Sequence, residues 1–276
     1  MIFNWLDEEL VPGLSKTDRM ALVLYDLAIS DKEQIMRVTG WSKNQIDGAI
    51  QRLRKYAESE GGVPDDWVRF WQHRQGAGYV YSLGAKGIQH VRALRGEYVK
   101  YKAVPLRGHV YHYHGLNEIL VRLLDSELEI TAWLSSKEAA SWLWHTLIKR
   151  ELKDGRLSET TESLPLRPDA LVRIGEDERD SFFVEYDTGT ESSIRLEQKF
   201  HRYFDLGCML DDERMLPVLF VTTSEKRKQE AIRAFNRAVD RYDDKTSGML
   251  VWKNIYFSVA GEEVQMIWDW LSKDDK

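Results

Sequence analysis

Apolar residues recur at helical spacing near the start of the chain. In "LSKTDRMALVLYDLAIS", Met20, Leu22, Leu24 and Leu27 fall at near-helical intervals behind Ser15 or Thr17, either of which can cap a first turn. "SDKEQIMRVTG" is shorter; Ser30 with Glu33 three residues on forms a capping-box pattern, and Gly40 stops the run. "WSKNQIDGAIQRLRKYAESEGG" repeats the device with Ser42 and Gln45 and sets Ile46, Ile50 and Leu53 on one face before Gly61 and Gly62. These stretches predict three helices, with a turn of only a few residues between the second and third.

The period then changes. "DDWVRFWQHRQGAGYVYSLGAKGIQHVRALRG" holds two aromatic and β-branched runs around a Gly-rich tip, which predicts a hairpin, and a further helix begins near Ala85. Three short helices followed by a hairpin predict a winged helix-turn-helix. The exit "YVYSLGAKGIQHV" also resembles the hairpin-to-helix exit of bacterial winged-helix regulators. A basic connector, "RGEYVKYKAVPLRG", precedes a helix with Leu116, Ile119, Leu120 and Leu123 inward, so the reading divides the chain into domains 1–103 and 104–276. Beyond the connector it gives a strand and helix around 128–150, strands near 168–174 and 181–187, and a helix over 191–207. The strand "LPVLFVTT", a helix over 224–240, a strand near 249–259 and a last amphipathic helix follow. The alternation predicts an α/β domain with a mixed sheet flanked by helices; the chain as a whole is α/β in class, α+β overall.

Composition narrows the class. With 43% hydrophobic and 11% aromatic residues in 276, the chain can fill packed cores. No stretch approaches the roughly 20 apolar residues of a spanning helix, and "MIFNWLDEELVPG" lacks the marks of a secretory leader. Cys208 is the single cysteine and offers neither an internal disulfide nor metal-site spacing. The expectation is a cytoplasmic protein without a membrane partner. Charge is uneven: residues 1–108 hold 16 Lys/Arg against 13 Asp/Glu, so the remainder carries more than the whole net charge of −6. A mildly basic front half suits phosphate contact better than the acidic back half does.

The third predicted helix supplies the candidate contacts. With Ile46, Ile50 and Leu53 inward, its outer side offers Lys43, Asn44, Asp47, Gln51, Arg54 and Lys55, side chains that match base edges and phosphates in a major groove. The hairpin tip adds His73, Arg74 and Gln75 for the backbone or minor groove. The expected partner is double-stranded DNA, read by a homodimer because helix-turn-helix proteins usually recognise paired half-sites. "HVYHYH" sets His109, His112 and His114 close together, a run read as structural, and the many Trp residues are read as packing.

The back half carries acids where a strand pattern wants apolar residues. In "RPDALVRI" Asp169 follows Pro168; in "FVEYDTGTE" Glu185 and Asp187 share a face with Tyr186 on the other. Hard carboxylate oxygens on adjacent strands can hold Mg²⁺ or Mn²⁺ for phosphodiester hydrolysis, so Asp169 and Glu185 are candidate metal ligands. A nearby Lys can assist, and Lys199 shares the apolar stripe of Leu196 and Tyr203 in "SSIRLEQKFHRYFDL". Glu118 in "GLNEIL" is a further candidate acid. The order resembles a PD-(D/E)xK nuclease, with Asp187 standing where that pattern expects Lys; in that superfamily the lysine can migrate to the following helix, the position Lys199 holds here.

"HYHGLNEILVRL", "RPDALVRI", "FFVEYDTGTESSIRLEQKFHRY" and "PVLFVTTSEKRKQEAIRAF", behind a winged helix, resemble the replication-relaxation family of bacterial plasmids and integrative elements. The resemblance runs from about residue 15 to 240, and its E-x-D-x-G-T-E run with a following K-x-x-x-Y helix is its most specific part. It implies a DNA-binding protein tied to replication, mobilisation or their control. Residue by residue it highlights Asp169, Glu185, Asp187, Gly189, Thr190, Glu191, Lys199 and Tyr203. Two functions remain open: a binding protein whose nuclease-like domain is a dimerisation or scaffold module, and a metal-dependent endonuclease or nickase.

Overall fold

A computed structural model describes residues 12–59, 62–72, 78–96, 107–148, 166–175, 180–209, 215–246 and 254–274. The chain is mixed α/β and divides into two compact units, Met1–Asp125 and Ser126–Lys276. The division falls after the helix that the connector "RGEYVKYKAVPLRG" precedes, so that helix belongs to the first unit rather than opening the second.

The first unit holds α1 (Lys16–Asp26), β1 (Ser30–Asp31), α2 (Lys32–Thr39), α3 (Lys43–Ser59), β2 (Val68–Gln72), β3 (Tyr79–Leu83), α4 (Ala85–Leu94) and α5 (Val110–Leu124). Ser15 caps α1 in a reciprocal capping box with Asp18. The box that opens α2 is Asp31 with Gln34, one residue later than the predicted Ser30 and Glu33. Ser30 is buried and pairs with Tyr81 as part of β1, which leaves the next residue to cap. Gly40 closes α2 in the left-handed conformation at φ 69°. Two residues on, the Ser42 N–H donates to Gln45 Oε1 at 2.9 Å and starts α3.

The three strands form an antiparallel sheet in the order β1-β3-β2. Met20, Leu24, Ile35, Ile46, Ala49 and Leu53 are fully or almost fully buried; α1 is enclosed on nearly all sides, and α2 and α3 each bury one face. Gly84 and Gly87 are sterically required: a Cβ would stand 2.2 Å from the Asp65 carbonyl oxygen and 2.5 Å from that of Trp67. Between α1 and β1 the chain bends through Ala28, a non-glycine residue at φ 58°. Buried Asn117 of α5 holds this bend, its amide donating to the carbonyls of Leu27 at 3.0 Å and Ile29 at 2.8 Å.

The second unit contains β4 (Ile130–Ser135), α6 (Ser136–Trp142) continuing into a wider π turn (Leu143–Ile148), β5 (Ala170–Ile174), β6 (Ser181–Asp187), α7 (Ser193–Met209), β7 (Val218–Thr222), α8 (Glu225–Thr246), β8 (Ile255–Val259) and α9 (Glu263–Asp274). Its sheet runs β4-β5-β6-β7-β8, antiparallel from β4 to β6 and parallel from β6 to β8. The parallel pairs need crossovers, and α7 and α8 supply them. Leu171, Phe183 and Phe220 pack on Leu196, Phe200 and Phe204 of α7 and on Ala231 and Ala234 of α8. Phe182 points to the opposite face and meets Trp270 of α9 edge-on at 4.6 Å. Helices therefore cover both faces, as the alternation predicts.

Asn117→Ala is expected to destabilise the first unit by about 1 to 3 kcal/mol, because it leaves two carbonyls at a strained bend without their donor. Urea unfolding of the full chain checks this; an unchanged midpoint would remove Asn117 from the account of the bend.

Candidate functional site

α3 buries Ile46, Ala49, Ile50, Leu53 and Ala57 and turns its other side to solvent. Asn44, Gln51 and Lys55 are exposed on that side and Lys43 at the helix start, and none has a hydrogen bond or ion pair to another described residue. Asp47 beside them is neutralised by an ion pair with Lys32 of α2. Arg54 is differently placed. It donates to the Val68 carbonyl at 3.0 Å, approaches Asp65 at 3.3 Å and lies 4.8 Å over the Phe70 ring, so it ties α3 to the hairpin. Arg74, with His73 and Gln75, lies outside the described residues.

The strand acids converge in the second unit. β5 and β6 pair with Ala170 opposite Val184, and that register carried one step further sets Asp169 opposite Glu185. Asp169 Oδ2 accepts the Tyr186 backbone N–H at 2.8 Å. Glu185, 2% exposed, has both oxygens occupied: Oε1 accepts the Tyr203 hydroxyl at 2.6 Å and Oε2 accepts Lys199 Nζ at 2.9 Å. Lys199 and Tyr203 are four apart on α7, and that spacing brings both over the same strand residue. The ammonium also lies 3.6 Å from Glu191 Oε2.

Charge follows from this geometry. Burial pushes the Glu185 carboxyl up to about 7, against the pull of Lys199 and of the Tyr203 hydrogen bond. Burial acts to lower the Lys199 ammonium, but the carboxylates of Glu185, Asp169 and Glu191 outweigh it and hold the group above its usual range. Burial and the adjoining Glu185 raise the Tyr203 phenol well above 10.0, so it stays a donor.

Asp187 is near Glu185 but serves another partner. Its Oδ1 accepts the Gly189 N–H at 3.0 Å, and its Oδ2 accepts Arg227 Nε of α8 at 2.5 Å. Arg227 also donates to the Glu191 carbonyl at 2.7 Å, which fixes the loop between β6 and α7. A second clasp joins α7 to α8, where buried Glu197 accepts from Arg237 at 2.6 Å and Arg241 at 2.5 Å. Beside these clasps lies a pocket of about 350 Å³, whose lining includes Glu191, Ser193, Arg227, Glu230, Arg233 and Arg237. Its charges are mixed. Neither Arg227 nor Glu197 stood out in the sequence; an Arg in the first turn of a charged helix and a Glu between Leu196 and Gln198 carry no pattern of their own.

The donor set does not suit a divalent ion as it stands. Both Glu185 oxygens face donors, one Asp169 oxygen serves a backbone N–H, and among the described residues no group of three or more His, Cys, Asp or Glu is arranged to hold a metal. Glu118 lies on α5 in the first unit, where it accepts Gln34 Nε2 at 2.6 Å and stands 3.7 Å from both Arg37 and Arg122. His114 Nε2 pairs with Asp31 at 3.0 Å, while His109 and His112 pack about Tyr113.

Fold and site define a mixed α/β protein with an open polar helix face in one unit and a buried Glu-Lys-Tyr constellation in the other. The family model described as replication-relaxation matches residues 22–213, and the chain belongs to that family. Membership suggests a role in plasmid or mobile-element replication or relaxation. No curated protein and no solved structure matches the chain. No helix among the described residues is long and apolar enough to cross a membrane.

A carboxyl whose folded value lies above its ordinary 4.5 stabilises the fold below that pH, and the contribution is lost as pH rises through about 7. The second unit should therefore lose stability between these values, and Glu185→Gln should flatten that segment. Urea unfolding across the pH series measures it; a wild-type profile flat from 4.5 to 7 would contradict the assignment.

Proposed function

We propose that the protein binds double-stranded DNA through α3, acting as the reading helix of a winged helix-turn-helix. The second unit, in this reading, is a nuclease-like fold retained as a dimerisation or scaffold module, and the protein acts in replication, mobilisation or transcriptional control of a mobile element. The observation that carries the proposal is that Lys43 at the start of α3, and Asn44, Gln51 and Lys55 on the side opposite its core, are exposed and have no partner among the described residues. Supporting it are the short α2–α3 turn at Gly40, the hairpin β2–β3 that follows α3, and the pairing of β1 onto β3. Asn and Gln match adenine edges, and Lys matches phosphates.

A catalytic reading, a Mg²⁺- or Mn²⁺-dependent endonuclease with Asp169, Glu185 and Lys199 at its centre and Asp187 and Glu118 as further acids, is favoured by the placement of Asp169 opposite Glu185. Against it stands the engagement of both Glu185 oxygens, which would have to be released before an ion could take them. Dimerisation predicts twice the 32.3 kDa chain mass by sedimentation at micromolar concentration; a monomer mass would remove the paired-half-site element.

Selection from a pool of random duplexes of roughly 30 base pairs, long enough for two half-sites a helical turn apart, tests DNA reading directly. The wild-type chain should enrich a defined sequence. Lys55→Ala should weaken binding about equally across sequences and reduce the salt slope by about one, whereas Asn44→Ala should relax preference at one or two positions. Absence of any enriched sequence, with binding no tighter than to bulk DNA, would defeat the proposal.

A further inference from the structure

Glycine weakens a helix interior relative to alanine, so a glycine inside a regular helix calls for a reason. α3 has one at Gly48, and neither usual internal reason applies. Its φ is not in the left-handed region, which among the described glycines is occupied by Gly13, Gly40, Gly96, Gly175, Gly189 and Gly261. Nor is space short: a Cβ at Gly48 would find nothing nearer than the guanidinium tip of Arg52 at 3.4 Å, an ordinary contact with the end of a flexible side chain. Gly84 and Gly87 show what an internal requirement looks like, with backbone carbonyl oxygens at 2.2 and 2.5 Å.

The position of Gly48 gives the external reason. It follows Asn44 by four residues and precedes Gln51 by three and Lys55 by seven, which puts it in the middle of the exposed stripe. On its outer side α3 therefore has a half-buried stretch of backbone without a side chain, flanked by exposed amide and ammonium side chains and by the Arg52 guanidinium, whose Nε donates to Thr17 at 3.0 Å, with Asp47 at its edge neutralised by Lys32.

We infer that Gly48 is the point of closest approach between α3 and duplex DNA, a positioning residue whose missing side chain lets the helix sink toward the floor of the major groove. That depth brings Asn44 and Gln51 within hydrogen-bond reach of base edges while Lys43 and Lys55 meet phosphates on either side. A methyl group there would hold the helix axis away and lengthen the base contacts without disturbing the fold. The inference rests on the DNA-binding reading of α3.

Its signature is a divergence of stability and affinity. The full-length wild type, Gly48→Ala and Gly48→Leu are compared by thermal unfolding and by anisotropy on a labelled duplex recovered by the wild type from the random pool. Gly48→Ala should melt at the same temperature or a few degrees higher, since an alanine favours the helix. Its affinity should fall roughly tenfold or more, about the loss of one good base contact, and Gly48→Leu should bind more weakly still. Undiminished binding by both variants would overturn the inference while leaving the DNA reading in place. A melting temperature that falls together with affinity would make Gly48 a structural residue and overturn it equally. If the wild type recovers no duplex, the DNA reading fails and the inference fails with it.

Discussion

A carboxylate can be buried in the middle strand of a sheet only if its oxygens find donors, and Glu185 sets that condition for the second unit. Tyr203 and Lys199 meet it from one turn of α7, and this fixes both the height and the rotation of the helix over β6. Phe200, between them in sequence, then reaches the aromatic core with Phe220, Phe235 and Phe257. Asp187 and Arg227 repeat the arrangement one step along the strand and secure α8. Charged pairs of this kind add little net stability, because desolvating each group offsets much of the attraction. The E-x-D-x-G-T-E run thus has a structural explanation. Glu185 and Asp187 are each answered by a named donor on a crossover helix or loop, and Glu191 stands 3.6 Å from the Lys199 ammonium.

The first unit is organised the opposite way. Lys43, Asn44, Gln51 and Lys55 of α3 have no partner among the described residues, and the unit's internal bonds lie behind them. Arg54 holds the hairpin, Lys32 neutralises Asp47, and Asn117 secures the bend at Ala28. An element supported on three sides and left open on the fourth is arranged to meet a partner. The division of labour follows. In the proposed function the first unit recognises DNA through α3 and the second unit, with Glu185, Asp187 and Glu197 engaged by named donors, supports it.

Much of this organisation was legible in the residues themselves. The alternation through "FVEYDTG" placed Glu185 and Asp187 on one face and Tyr186 on the other, and both acids lie buried on that face. The stripe of Leu196, Lys199 and Tyr203 correctly pointed Lys199 inward. What could not be read was the outcome of competition between equal local signals. "SDKEQ" contains two overlapping capping boxes, and only the pairing of Ser30 with Tyr81 selects Asp31 over Ser30. The helix after the connector was assigned forward to the second domain because a basic, Pro-containing segment looks like a boundary. Its partners are Ile29 and Val80, far back in the chain, through Val110. Arg227 was invisible for the same reason, since nothing near it in sequence marks it as the answer to Asp187.

The central claim is that the carboxylates of the second unit are internal structure and that the function lies on α3. It is tested most directly by incubating supercoiled plasmid carrying the selected duplex with wild type and with Asp169→Ala/Glu185→Ala, in Mg²⁺ and in Mn²⁺, while measuring binding alongside. Sequence-selective binding by the wild type, without metal-dependent nicking, is the result this account predicts. Nicking that requires the metal and disappears in the double variant while binding survives would contradict it and make Asp169 and Glu185 a catalytic pair.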